Sequence, residues 1–160
     1  MSQLKCVAIP MAAAVMVAVG SGVSAADGPT GTTAERATVV PMSEVLKRCD
    51  FTDDTHVPAS GTGSAVSIIS STASDVRADV SLIRAAPGIR YFVRLVESPP
   101  PIDRCRPGNP GVTAATIDTD GGGNGSVSLA EPVLPGTTGA WVFIEGPPGD
   151  FYSSDVLAPV

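Results

Sequence analysis

Apolar and polar residues alternate along much of the chain beyond residue 63, and the alternation has period two. The segment DVRADVSLI places Val76, Ala78, Val80 and Leu82 on one side, with Arg77, Asp79 and Ser81 on the other. That is the signature of a strand with one buried face. RYFVRLVE repeats it, with Tyr91, Val93 and Leu95 opposite Arg90, Phe92 and Arg94. GSAVSIISS sets Val66 and Ile68 on a common face, and GVTAATID and GSVSLAE are short and rich in Val, Ile, Thr and Ser. AWVFIE is the most apolar run and holds the single tryptophan, Trp141; FYSSDVLAPV closes the chain. Between these runs lie AAPGI, ESPPPIDRCRPGNPG, EPVLPGTTG and GPPGD, where proline presets φ and glycine permits its positive values. Seven candidate strands without a long helix predict an all-β fold over residues 48–160. The expected form is an antiparallel Greek-key, Ig-like β-sandwich, with a small barrel as the alternative.

The N-terminal third reads differently. Residues 1–25 follow the plan of a secretory signal peptide: Lys5, then the apolar CVAIPMAAAVMVAVG, then small residues with Val23 and Ala25 at the cleavage positions. The apolar run is shorter than the ~20 residues that cross a bilayer, and Pro10 interrupts it. Residues 26–47 are expected to form a flexible leader, since 26–42 are small and polar with no sustained period. SEVLKRCDF fits either a short helix, with Ser43 as N-cap and Val45 and Leu46 turned inward, or an extended arm held by Cys49. Removing 25 of 160 residues leaves 135, the size of one domain, secreted or associated with the cell wall.

Charge narrows the partners. Without Lys5, nine Lys and Arg stand against sixteen acids, a net charge of −7. Scattered basic residues on an acidic chain do not suit nucleic acid or anionic lipid, which need a clustered basic face. Cys49 and Cys105 are the cysteines outside the export segment, and in an oxidising compartment they are expected to form one disulfide. Bridging so long a segment stabilises a fold by about 4 kcal/mol on the chain-entropy model. The competing use of Cys49 is as a reactive thiol near His56.

The most suggestive chemistry is DTDGGGNGS, residues 118–126. Asp118, Asp120 and Asn124 are oxygen ligands of the kind calcium takes, with Asp150 and Asp155 as possible help from another loop. Against the EF-hand pattern, Gly122 replaces an expected acid or amide, and Leu129 stands where the bidentate glutamate belongs. The same stretch is read first as a hairpin tip, because glycine and asparagine tolerate positive φ and aspartate caps local amides. No metal is therefore favoured. A hydrolytic site is drawn most simply from Asp53, Asp54 and the single histidine, His56, but no G-x-S-x-G elbow presents a serine. Tyr91, Phe92, Trp141, Phe143, Phe151 and Tyr152 fit either a stacking face or a core.

Four segments, RCDF at Cys49, RYFVRLVESPPP, DTDGGGNGSVS and GTTGAWVFIEGPPGDFYSSD, together with the export segment, give the chain a resemblance over residues 48–160. It resembles the small exported proteins of mycobacteria and related actinobacteria. The resemblance implies a secreted, disulfide-stapled β-domain of the medium or cell envelope, and it brings no catalytic residues. The functional expectation is a non-enzymatic module that binds an envelope or host-surface ligand. The alternatives are an extracellular hydrolase at Asp53, Asp54 and His56, or a calcium-dependent module at residues 118–126.

Overall fold

The computed structural model describes residues 35–100 and 105–160. The expected signal peptide, residues 1–25, and residues 26–34 of the expected leader lie outside the described residues. Eleven strands follow in chain order: β1 (Arg36–Ser43), β2 (Leu46–Lys47), β3 (Asp53–Asp54), β4 (Ser64–Ser71), β5 (Asp75–Ile83), β6 (Arg90–Ser98), β7 (Val112–Asp118), β8 (Gly125–Pro132), β9 (Gly139–Glu145), β10 (Phe151–Ser154) and β11 (Ala158–Pro159). Among the described residues no segment is helical, and none can cross a membrane as an apolar helix.

The main strands form one hydrogen-bonded path, β7-β6-β9-β10-β1-β4-β5-β8, antiparallel throughout, with β11 beside β9 and β2–β3 as a separate hairpin. The path nearly closes, because its two ends, β7 and β8, are neighbours in sequence and face one another. The all-β, antiparallel expectation holds. About seven strands in two facing sheets were expected, whereas one continuous ladder is found. β1 makes the difference, since it links β10 to β4 and so joins what would otherwise be two sheets.

β1 also corrects the leader. Residues 36–47, expected to be flexible or helical, supply β1 and β2. The adjacent Val39 and Val40 and the proline at 41 hide the period, yet Val40 and Met42 face the core. Pro41 is tolerated because β10 pairs only with Met42 and Ser43, so no ladder donor is needed there on that side. The SEVLKRCDF segment takes the extended alternative: it is an arm whose β2–β3 hairpin pairs Leu46 with Asp54 and Lys47 with Asp53.

The interior is lined by the alternating positions that the sequence marks. Val76, Ala78, Val80 and Leu82 from β5 meet Tyr91, Val93 and Leu95 from β6, with Val142 and Ile144 from β9. Each fully buried Val, Leu or Ile among them contributes about 1.5–3 kcal/mol. β4 departs from expectation: Ser67 and Ile69 are buried while Ile68 is 45 % exposed, so its apolar pair Val66 and Ile68 faces outward. Outside the wall a second cluster forms from Val96, Val112, Trp141, Phe143 and Phe151, covered by Leu46 and Phe51 of the arm, by Cys105 and by Leu157. A disulfide joins Cys49 to Cys105 and fixes the arm there, with Phe51 tilted 5.6 Å from Trp141.

Candidate functional site

The glycine-rich stretch folds as a hairpin tip laced by its own main chain. Asp120 Oδ1 accepts the N–H groups of Gly122 and Asn124, both at 2.8 Å, and these bonds hold its carboxyl below the usual range. Asp118 accepts a forked pair from Arg90, 2.7 Å from Nε and 2.9 Å from Nη2, which lowers it likewise. Asn124 Oδ1 accepts the Arg84 N–H at 3.2 Å. The tip docks on the β5–β6 loop: Ala85 N–H donates to Gly123 O at 3.0 Å, and Thr119 Oγ1 donates to Ala86 O at 2.7 Å. All three candidate calcium ligands are thus engaged by protein groups.

Asp53, Asp54 and His56 lie on the arm. Asp53 pairs with Lys47, whose ammonium stands 4.7 Å over the Phe51 ring. Asp54 accepts from the His56 N–H and stands 3.3 Å from its Nδ1, and the backbone bond lowers the carboxyl. The His56 side chain is 86 % exposed, so Asp54 orients an imidazole that faces solvent.

Two further clusters sit inside the sheet, one at each end; the sequence marks Asp150 only as an aid to the glycine-rich loop and Tyr91 and Tyr152 only as stacking or core aromatics, and does not bring them together. At the end where β6 begins, the Tyr91 hydroxyl donates to Asp150 Oδ2 at 2.5 Å and accepts the Ala86 N–H at 3.1 Å. Tyr152 Oη accepts the Gly63 N–H at 3.0 Å. Burial, with Asp150 adding to it, pushes the Tyr91 hydroxyl up to about 12, and burial raises Tyr152 as well. These phenols stay protonated donors. Asp150 is 7 % exposed, and its Oδ1 has no hydrogen-bond partner.

At the opposite end the inward phases of β6 and β8 run on to Glu97 and Glu131. Glu97 is fully buried; its Oε2 accepts from the Leu134 N–H at 2.9 Å and from the Thr137 hydroxyl. Glu131 accepts the Thr113 N–H and so spans the gap between β8 and β7. Burial first, and the Glu97 charge second, push Glu131 up to about 7. One oxygen on each carboxyl is buried without a partner.

The aromatics separate into three environments. Tyr91 and Tyr152 lie inside, and Trp141, Phe143 and Phe151 lie in the second cluster. Phe92 is 56 % exposed on the outer face. A more continuous apolar surface lies across β1 and β4: Val39, 65 % exposed, pairs directly with Ile68, and Pro41 pairs with Val66 beside them. Compared with family models, with curated proteins and with solved structures, the chain matches none.

Proposed function

We propose that the protein is an exported, disulfide-stapled β-module that binds a partner in the cell envelope or at a host surface and does not turn over a substrate. The observation that carries this reading is the outer face of β1 and β4. A strand that buries Ser67 while showing Val66 and Ile68 spends apolar surface on solvent, and the cross-strand partners Val39 and Pro41 extend that surface. Contiguous apolar surface of this kind marks interaction sites. The Cys49–Cys105 bridge supports an oxidising compartment, as do the signal-like residues 1–25 and the likeness to small exported actinobacterial proteins. The strand order supports a Greek-key, Ig-like module: β9 returns beside β6 after the chain has passed through β7 and β8. A flattened form of this sheet, with its two halves face to face, is the sandwich reading.

The test is co-sedimentation of the oxidised protein with an envelope fraction of the producing cell, comparing wild type with the double substitution Val39→Ser and Ile68→Ser. Both positions are solvent-facing, so the thermal midpoint is expected to stay nearly unchanged. Retention is expected to fall by about tenfold or more, as when two central contacts leave an interface. Equal retention by both proteins would remove this face from the reading.

A further inference from the structure

Three oxygens from three separate segments converge on Gly61, just before β4. Asp150 Oδ1 and Tyr152 Oη each lie 2.7 Å from where a Cβ on Gly61 would stand, and Glu44 Oε1 lies 2.9 Å from it. With legs of 2.7 and 2.9 Å to one point, no two of them are more than 5.6 Å apart. A side chain at 61 would fill the space between them. At Gly63 a Cβ would stand 2.8 Å from the same Tyr152 oxygen and 2.9 Å from Ala85 Cα, so the second glycine lets the chain approach this closely.

The electrostatics of the cluster are incomplete. Asp150 is 93 % buried, and Tyr91 occupies its Oδ2; Oδ1, the atom aimed at Gly61, has only the neighbouring Tyr152 hydroxyl beside it and no well-formed hydrogen bond. Among the described residues neither carboxylate is paired with a Lys, Arg or His, and Glu44 has no hydrogen bond of its own. A buried polar oxygen without a well-formed partner costs free energy, which a bound cation would offset. The neutral phenol of Tyr152, kept protonated by burial, supplies a third oxygen without adding charge.

We propose that Glu44, Asp150 and Tyr152 hold a hard divalent cation, calcium by ligand type, at this end of the sheet. Calcium takes six to eight oxygens at 2.3–2.6 Å in irregular geometry, whereas magnesium demands a near-ideal octahedron. Two carboxylates and a phenol form a partial shell that water completes. So few protein ligands place the affinity with the extracellular modules, at roughly 0.1–1 mM. The site is separate from the hairpin tip, whose Asp118, Asp120 and Asn124 are engaged by protein groups. It stands or falls independently of the apolar face on β1 and β4.

Terbium is a direct probe, because it substitutes for calcium and its emission is sensitised by a nearby tyrosine. On the full chain, disulfide oxidised, excitation of tyrosine is expected to give terbium emission that calcium displaces. About 5 mM calcium is expected to raise the thermal midpoint over EDTA by roughly 3–6 degrees. Glu44→Gln decides the matter, since among the described residues Glu44 has no hydrogen bond or ion pair to lose and the variant should fold as wild type does. It is expected to abolish both signals, as is Gly61→Ala, while Asp120→Asn is expected to preserve them. Superimposable melts with no sensitised emission would overturn the proposal. A response that survives Glu44→Gln and disappears with Asp120→Asn would also overturn it and move the site to the hairpin tip.

Discussion

At the end of the sheet where β6 begins, Tyr91, Tyr152 and Asp150 meet four loops docked in two pairs. Ala85 bonds Gly123, Gly88 bonds Asp120, and Ser60 bonds Gly149, all main chain to main chain. At the end where β6 finishes, the interior closes on two carboxyls, and a side chain, Glu131, reaches across from β8 to the Thr113 N–H of β7. The β7–β8 seam is therefore tied differently at its two ends. Across the seam itself, main-chain bonds of the hairpin tip hold the first end, where the buried Asp150 lies away from β7 and β8, and a titratable side chain holds the second. Neutral donors tolerate burial at any ordinary pH, whereas a buried carboxyl beside another carboxyl does so only while protonated. The first end is built for rigidity, and the second makes stability depend on acidity.

The sharpest way to break the first end is Gly123→Ala. Gly123 has φ +76°, and a Cβ there would stand 2.0 Å from Ala85 O, so strain and clash coincide where two loops dock. Such a substitution is expected to cost about 4 kcal/mol or more in denaturant unfolding. Gly121→Ala, where nothing lies within 4 Å, is the control and is expected to change little. A smaller effect is expected from Tyr91→Phe. It removes the proton that Asp150 Oδ2 accepts and the oxygen to which Ala86 N–H donates, leaving two groups unpaired where they are poorly solvated. The expected loss is about 1–3 kcal/mol. A smaller loss would mean that water replaces the hydroxyl and that this end is less closed than its loops suggest.

The two ends were unequally legible in the sequence. β5 and β6 alternate so cleanly that their inward faces follow from the residues alone. The same phase, carried on from Tyr91, Val93 and Leu95, reaches Glu97, and from Val127 and Leu129 it reaches Glu131; an acid in an apolar phase was the available signal. The tyrosine end gave no comparable signal. Tyr91 and Asp150 are 59 residues apart and meet only because β10 and β6 flank β9 in the sheet. β1 was missed because Val39, Val40 and Pro41 obscure its period, and its strand character comes from the ladder with β4 rather than from propensity. On β4 the outward turn of Ile68 was hidden because SIISS offers an apolar residue to either face. The glycine-rich tip was legible as a turn. That Asn124 and Asp118 would be engaged depended on Arg84 and Arg90, which the chain alone does not place beside the tip.

Glu131→Gln is expected to have the smallest effect, and it tests the second end. Glu131 is raised from the ordinary glutamate value to about 7, so it favours the folded state most when protonated. Its contribution is complete below its unfolded pKa and is lost as pH rises through about 7. Taken at face value the shift corresponds to roughly 3 kcal/mol, and partial exposure reduces this to about 1–2 kcal/mol. Glutamine keeps an oxygen for the Thr113 N–H and removes the charge. The variant is therefore expected to match wild type at pH 4.5 and to exceed it by that amount at pH 8, measured by denaturant unfolding across the range. Glu97 is the titratable side chain facing Glu131 from across the interior; Asp75 and Arg77 of the neighbouring β5 are exposed on its outer side. A difference that stays flat with pH would mean that the seam carries the Glu131 charge without cost, and the contrast between the two ends would then lie in their loops alone.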